Sequence, residues 1–469
     1  MVKLSRFSHT YFLKGHVALF HSLRLKPVYL NTEKYQSLIV WLDSSVCCTL
    51  ENVPDEINDE VIELVKNRIL TIENGEDEQI LRFVRSNIPE PSISVCYLIL
   101  SEQCNMACKY CFLGNNKDEI RKSFSVDNMS TETVDKAVDF FVEQLKKSAY
   151  NEVRRPAVIF YGGEPLVNYK SLIVAAQKLN KLKNEEPLLK NLDMTVISNG
   201  LLLNEQRLLE LKRLGVMISI SIDGFTSESN SMRVDVNGKP VFEKLLHILN
   251  ECNRLNVDFS LSVTLSEDSI KSVDNILKLL EIYNVKSLGY NILMSDGTFS
   301  LPDSYSKDAA QFIIESFIKL RKIGVYEDRM LRKLDTFAKS QVYYSDCAAT
   351  SGAQIVIAPD GSVGICHGCI AGKKYFVTDI NDRNFKANEN SVFKEWSNLS
   401  PVNNDNCLDC EALGICGGGC PVNAMHSKPE NTLHSIDERF CAHSKSSVEF
   451  LIKDLYEQII TGAKNAKES

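Results

Sequence analysis

The 469-residue sequence has no apolar run approaching the ~20 residues that a helix needs to cross a bilayer. Its opening, MVKLSRFSHTYFLKG, lacks the apolar core of a secretory signal. Together these absences set the expectation of a cytoplasmic protein with no membrane partner. A long basic block is missing too: 53 Lys and Arg stand against 61 Asp and Glu, for a formal net charge of -8. Such a chain offers no continuous surface for a phosphate backbone, so nucleic acid is not an expected partner. There is also no internal repeat and no low-complexity tract. A chain of this length forms about three domains and builds its cores without structural metals, so any metal site is expected to serve function first.

What the sequence does have is cysteine, 15 in all. In a reducing compartment disulfides are rare, and clustered cysteines point to metal or redox chemistry. Cys104, Cys108 and Cys111 fall in one stretch, SEQCNMACKYCFLGNN, with the spacing CxxxCxxC. Cys347, Cys366, Cys407, Cys410, Cys416, Cys420 and Cys441 form a second set, with Cys369 beside it. Cys47, Cys48, Cys96 and Cys252 lie in apolar stretches and read as ordinary buried residues.

Three segments are expected. Residues 1–90 open with alternating runs, HVALFHSLRL and PVYLN, followed by helical patterning at Val61, Leu64, Val65 and Ile69 and at Ile80, Leu81 and Val84. NIPEPS, residues 87–92, reads as a linker. Residues 93–320 alternate strand and helix, with strands at 94–101, 156–163, 193–200, 216–224, 258–265 and 287–293. Ser130 is a plausible N-cap for the helix carrying Val134, Ala137, Val138, Phe141, Val142 and Leu145. Six βα units in series imply an α/β fold with a parallel sheet. Residues 321–469 hold the cysteine-rich region. There AQIVIAPDGSVGIC reads as a hairpin turning at Asp360-Gly361, residues 380–406 read as loop, and a final amphipathic helix carries Val448, Leu451, Ile452, Leu455 and Ile459 before a short solvated tail.

Strands covered on both faces normally read as continuous apolar runs. Here Ser219 and Ser221 share a face, as do Ser260, Ser262 and Thr264, and Gly289 and Asn291. Either these faces are partly solvated or they line a polar cavity in which a cofactor lies along the strands.

Three thiolates from one loop leave a metal centre with an open position. A 4Fe–4S cluster held by three cysteines has one iron free for a ligand, and the loop follows a strand at its C-terminal end, where parallel α/β folds place ligands. A zinc site would need a fourth ligand from elsewhere.

Cys104, Cys108, Tyr110 and Cys111 resemble the CxxxCxΦC loop of radical S-adenosylmethionine enzymes, with Φ aromatic. That resemblance implies a partial (β/α)6 TIM-like barrel and a cluster whose open iron chelates S-adenosylmethionine. Cleavage of the bound cofactor then releases methionine and a 5′-deoxyadenosyl radical. YGGEP, with Gly162, Gly163 and Glu164, resembles the segment meeting the methionine amino group, the glycines letting backbone approach the ligand. ISNG nominates Ser198 and Asn199. SISIDG nominates Ser219, Ser221 and Asp223 near the ribose, with Arg233 for the methionine carboxylate.

The later cysteines resemble the seven-cysteine pattern of SPASM domains: Cys347, thirteen residues, Gly361, four residues, Cys366, then Cys407, Cys410, Cys416, Cys420 and a closing Cys441. By that pattern Cys347, Cys366 and Cys420 hold a first auxiliary 4Fe–4S cluster, and Cys407, Cys410, Cys416 and Cys441 a second, three clusters in all. Some relatives add a cysteine soon after the first, where this chain has Ala353 and none nearby. Either Cys369 completes the first auxiliary cluster or that cluster keeps an open iron. His367 follows Cys366, where relatives present a polar side chain to the active site; it reads as a base of near-neutral pKa, or as a donor to a cluster sulfur.

Enzymes of this arrangement mostly modify peptides. The first ninety residues resemble, in pattern only, the winged-helix domain that recognises leader peptides by strand addition; a plain cap over the barrel is the alternative. The resemblance therefore implies a maturase that crosslinks a ribosomally made precursor peptide, through a cyclophane-type carbon–carbon bond or a thioether. Its reductant would be a flavodoxin or ferredoxin. Two other readings stand beside this one: a sulfatase-maturating enzyme making formylglycine, and a non-catalytic iron–sulfur electron-transfer protein.

Overall fold

A computed structural model describes residues 1–44, 48–111, 113, 128–148, 155–294, 299–428 and 430–468, with side chains to residue 460. Cys47 lies outside the described residues; Cys48, Cys96 and Cys252 are buried as expected.

At the N-terminus a two-residue strand β1 (Lys3–Leu4) precedes a meander of β2 (Ser8–Leu13), β3 (His16–His21) and β4 (Pro27–Asn31), in the order β2-β3-β4. Three helices follow, Thr32–Leu42, Asn58–Lys66 and Glu76–Ser86, and β5 (Leu70–Thr71) pairs with β1. The first of these helices falls where no helix was expected. Asn31 caps it, its side chain accepting from the Lys34 N–H at 2.8 Å. One face of the sheet, with Leu19, Val28 and Leu30, packs on Leu38, Trp41, Val61 and Leu64. The other face, with Ala18 and Phe20, buries itself against Phe337, Ala412, Ile415, Val448 and Leu451. The segment thus builds its own core and is seated on the cysteine-rich region.

The central sheet begins with β6 (Val95–Ser101), β7 (Ala157–Gly162), β8 (Asp193–Ser198), β9 (Val216–Ile222), β10 (Phe259–Leu265) and β11 (Ser287–Ile292), adjacent in chain order and all parallel. Each expected strand is present within two residues of its predicted ends. Outward residues such as Leu98, Phe160, Val196, Ile220 and Val263 join helices between the strands in one core. Ser130 caps Thr131–Lys147 as expected, accepting from Thr133 N–H at 3.0 Å.

The sheet does not close. β12 (Tyr326–Glu327) extends it beyond β11. At the other edge β13 (Gln354–Ile357) pairs parallel with β6, followed by β14 (Ser362–Gly364) and β15 (Phe376–Asp379), both antiparallel. The barrel sheet therefore runs on into the cysteine-rich region. The β13–β14 hairpin turns at Gly361, whose φ of 86° suits glycine.

Two expectations here are corrected. Residues 380–406 are not all loop: Ser391–Ser397 is a helix that fully buries Phe393 and Trp396. The final helix runs from Glu438 to Glu468, so Cys441 sits in its first turn and the residues expected as tail up to 468 are helical. Along it Val448, Leu451 and Ile452 are buried while Ile459 is 49% exposed, so the apolar stripe ends earlier than the sequence pattern suggested.

Candidate functional site

The first cysteine loop springs from the C-terminal end of β6. On one side the end of β7 presses onto it: Gly163 N–H donates to Ser101 O at 2.8 Å and Glu164 N–H to Gln103 O at 2.9 Å. A Cβ on Gly163 would lie 2.5 Å from Gln103 O, and one on Gly162, where φ is 141°, would meet Ser101 O. The close approach of the cysteine loop's own backbone therefore requires glycine at both positions. On the other side Ala107 and Lys109 N–H donate to Val234 O and Met232 O, both at 2.9 Å, bringing Arg233 beside Cys108.

Glu164, 1% exposed, ties two strand ends together. Its Oε1 accepts from Leu166 N–H at 3.0 Å and Ser198 Oγ–H at 2.9 Å, and its Oε2 from Asn199 N–H at 2.8 Å. The Asn199 amide donates to Asn105 Oδ1 at 2.8 Å and approaches Cys104 Sγ at 3.8 Å. Three nominated residues, Glu164, Ser198 and Asn199, therefore form one network under the cysteine loop.

A second network joins three more. Tyr110 Oη donates to the Asp223 carboxylate at 2.8 Å, and Arg233 Nη1 donates to Tyr110 Oη at 2.8 Å and to Asp223 Oδ1 at 3.4 Å. Asp223 and Arg233 are buried, at 0% and 4% exposure, and Tyr110 is partly buried. Burial pushes the Asp223 carboxyl upward, with Arg233 and the Tyr110 hydroxyl pulling against it. Arg233 Nε is buried and finds no acceptor among the described residues, leaving one donor unused.

Ser219 and Ser221 join neither network. Their strand register aligns them with Ser260 and Ser262 on β10, and Ser262 with Gly289 on β11. Thr264 pairs with Asn291, whose amide donates to Ser262 Oγ at 3.0 Å. The three polar faces read separately in the sequence are therefore one continuous face across β9, β10 and β11.

The same face is aromatic at β6 and β7. His367 lies flat on Tyr97, with ring centroids 4.5 Å apart and planes 12° apart, and meets the edge of Tyr161 at 5.0 Å. It borders a narrow cavity with Glu102, Tyr161, Gly162 and Gly163. Burial pushes its imidazole down to about 4, which corrects the expected near-neutral value. Neither Tyr97 nor Tyr161 was singled out in the sequence, although period two along β6 and β7 places both on the cavity face.

The cysteines separate into groups. Cys104 and Cys108 interact with each other and with Cys111, and burial pushes their thiols to about 12 and about 11. Cys347, Cys366 and Cys420 lie within electrostatic reach of one another, and Cys366 also contacts Cys369. Cys407, Cys410, Cys416 and Cys441 form the last group, with Cys407 and Cys441 pushed to about 12 by burial. Gathering thiols where burial disfavours their anions fits a cationic metal centre that deprotonates them on binding. Among the described residues no three His, Cys, Asp or Glu side chains could hold one metal ion.

Residues 98–280 match the Radical SAM superfamily, a span that includes Cys104, Glu164, Asp223 and Arg233. The radical SAM cyclopropyl synthase TigE of Paramaledivibacter caminithermalis is 25% identical over 466 residues, covering 93% of this chain and 92% of TigE. A cysteine-type anaerobic sulfatase-maturating enzyme of Clostridium novyi is 26% identical over 385 residues, 78% of this chain and 96% of that one. Among solved structures, SuiB of Streptococcus suis bound to its precursor peptide SuiA superposes with a TM-score of 0.52 at 15% identity, covering 94% of this chain and 100% of SuiB. No helix among the described residues is long and apolar enough to cross a membrane.

Proposed function

From the premise that this chain carries a radical SAM domain, we propose that it is a peptide maturase that crosslinks a ribosomally made precursor. Cys104, Cys108 and Cys111 hold the 4Fe–4S cluster that binds S-adenosylmethionine. Cys347, Cys366 and Cys420, with Cys369 as the fourth thiol, hold a first auxiliary cluster, and Cys407, Cys410, Cys416 and Cys441 a second. The contact between Cys366 and Cys369 favours the complete ligand set over an open iron. When bound, the first cluster and S-adenosylmethionine supply a 5′-deoxyadenosyl radical able to take hydrogen from an unactivated carbon.

The residues of the chain orient and enclose that chemistry. Arg233 offers its unused Nε–H to the methionine carboxylate, and its partnership with Asp223 and Tyr110 fixes the guanidinium. Glu164 holds the ends of β7 and β8 in register with the loop and leaves carboxylate lone pairs for the methionine ammonium. Ser219 and Ser221 offer hydroxyls to the ribose. His367, at the cavity wall and neutral, would accept the proton that the peptide residue loses, and the auxiliary clusters would take the electron left behind. The N-terminal sheet receives the leader as an added strand, since β2 and β4 each pair on one side only among the described residues. A flavodoxin- or ferredoxin-type reductant supplies electrons.

The observation that supports this reading is the position of the cysteine loop, tied to Glu164 and Arg233 at the C-terminal mouth of six parallel strands whose inner face is polar across β9, β10 and β11. TigE's near-full-length similarity favours a carbon–carbon product over a thioether. The similarity to a sulfatase-maturating enzyme supports formylglycine formation as a second reading, but a short linear motif needs no leader reader. Reduced, reconstituted protein incubated with S-adenosylmethionine and a precursor peptide separates the two. Loss of two hydrogens without an aldehyde supports the crosslink, a carbonyl that captures a hydrazine supports formylglycine, and an unchanged peptide contradicts both.

A further inference from the structure

Lys333, in the helix Asp328–Lys339, is 2% exposed. Its Nζ donates to Ile415 O at 3.1 Å, to Cys416 O at 3.5 Å and to Ser444 Oγ at 3.1 Å. Three acceptors match the three donors of an ammonium group. All three are neutral, and among the described residues no carboxylate pairs with this side chain. Its neighbours differ: Arg332 pairs with Asp328 at 2.9 Å, and Arg329 and Arg332 each approach Asp346 at 3.8 Å. An isolated buried charge costs several kcal/mol unless an opposite charge offsets it, so the structure is short of one anion near Cys416.

Other polar groups around the same four cysteines are also short of partners. His443, two residues after Cys441 and fully buried, has no partner on either ring nitrogen. The Tyr11 hydroxyl is buried without an acceptor, on the face of β2 that packs toward Cys410 and Cys416. Donors without acceptors and a cation without a counter-ion both call for the anionic sulfurs of a thiolate-bound cluster.

We propose that Lys333 is the built-in counter-charge of the cluster held by Cys407, Cys410, Cys416 and Cys441, and that it raises that cluster's reduction potential. This rests on the ligand assignment proposed above. Adding one electron makes the cluster more negative by one unit, and a fixed cation in a low-dielectric site favours that state. Lys333 is a positioning residue in this sense: it acts on the cluster and touches no substrate. A purely structural role, tying down the last carbonyls of the short helix Leu413–Cys416, would be served equally by a neutral donor.

The test is an EPR-monitored redox titration of the anaerobically reconstituted full-length protein, with the relevant midpoint identified by its disappearance in Cys410→Ala. In Lys333→Gln the reduced-to-oxidised ratio of that cluster at a fixed potential should fall at least tenfold, about 59 mV for a one-electron couple. The other midpoints should stay, and Lys333→Arg should restore the wild-type value. If Gln costs iron, Lys333→Met, which removes charge and donor together, is read in the same way. A midpoint unmoved in an iron-replete Gln or Met variant, or moved equally by Arg, overturns the proposal. Wild-type protein with iron but no midpoint lost in Cys410→Ala overturns the ligand assignment itself, and is seen before any Lys333 variant is made.

Discussion

His367 rests face to face on Tyr97, 4.5 Å between ring centroids, although β13 must cross the sheet to β6 before the two can meet. The stack fixes the ring plane, and Tyr161 closes its edge. His367→Ala should leave cofactor cleavage intact while lowering peptide product roughly 100-fold, as expected for loss of a positioned base. Parallel assays of 5′-deoxyadenosine and modified peptide check this; an equal loss of both would make the residue structural. Tyr97→Leu should give a smaller fall, since an aromatic stack is worth about 0.5–1.5 kcal/mol.

Glu164 accepts buried N–H groups from Leu166 and Asn199 as well as the Ser198 hydroxyl. Glu164→Ala strands those donors, at about 1–3 kcal/mol each. Thermal unfolding should shift downward by several degrees, and S-adenosylmethionine binding, followed by calorimetry, should weaken. Glu164→Gln, which keeps one acceptor oxygen, should fall between the two.

Removing Arg233 alone leaves the Asp223 carboxylate buried with Tyr110 as its side-chain donor. That should cost about 3–5 kcal/mol in denaturant unfolding. Arg233→Met combined with Asp223→Asn should recover part of the loss, because the uncompensated charge goes with the pair. A double variant no better than Arg233→Met would contradict the pairing.

Glu327 gives a pH signature. It is fully buried, caps the helix Asp328–Lys339 by accepting from Arg329 and Met330 N–H, and is pushed by burial from 4.5 to about 7. The folded protein therefore holds a proton that the unfolded chain releases across that interval. The stability from this site is complete at low pH and is lost as pH rises through about 7. Relative to wild type, Glu327→Gln should gain on the order of 3 kcal/mol between pH 4.5 and 7 and nothing more above it, measured by urea unfolding at each pH.

The sequence was most legible where physics is local. Period two and β-branched residues marked β6 to β11, and small polar residues marked a polar face on each of three strands, which the register then joins into one. Cysteine spacing set the 104–111 loop apart, whereas the division of the later thiols came only from the family resemblance, since Cys420 stands close to Cys416 in sequence and far from Cys347. The helix Thr32–Leu42 escaped because its SLIVW run reads equally as a strand, although Asn31 stood as a cap signal. Ser391–Ser397 was too short for a period to show, and its two aromatics are buried by packing alone. The setting of His367 was not legible, because Tyr97 reaches it only through the pairing of β13 with β6. The packing of Gly162 and Gly163 on the cysteine loop was not legible, since a close backbone approach looks the same in sequence whether the neighbour is ligand or protein.

The central claim is that the loop of Cys104, Cys108 and Cys111 presents an iron able to split S-adenosylmethionine. The most direct measurement is 5′-deoxyadenosine formed by reduced, reconstituted protein, with iron counted in the same sample. The account predicts about twelve irons per chain and steady formation of 5′-deoxyadenosine, with Cys104→Ala/Cys108→Ala/Cys111→Ala losing about four irons and all cleavage. Iron-replete wild type that forms no 5′-deoxyadenosine, or a triple variant that still does, would contradict it.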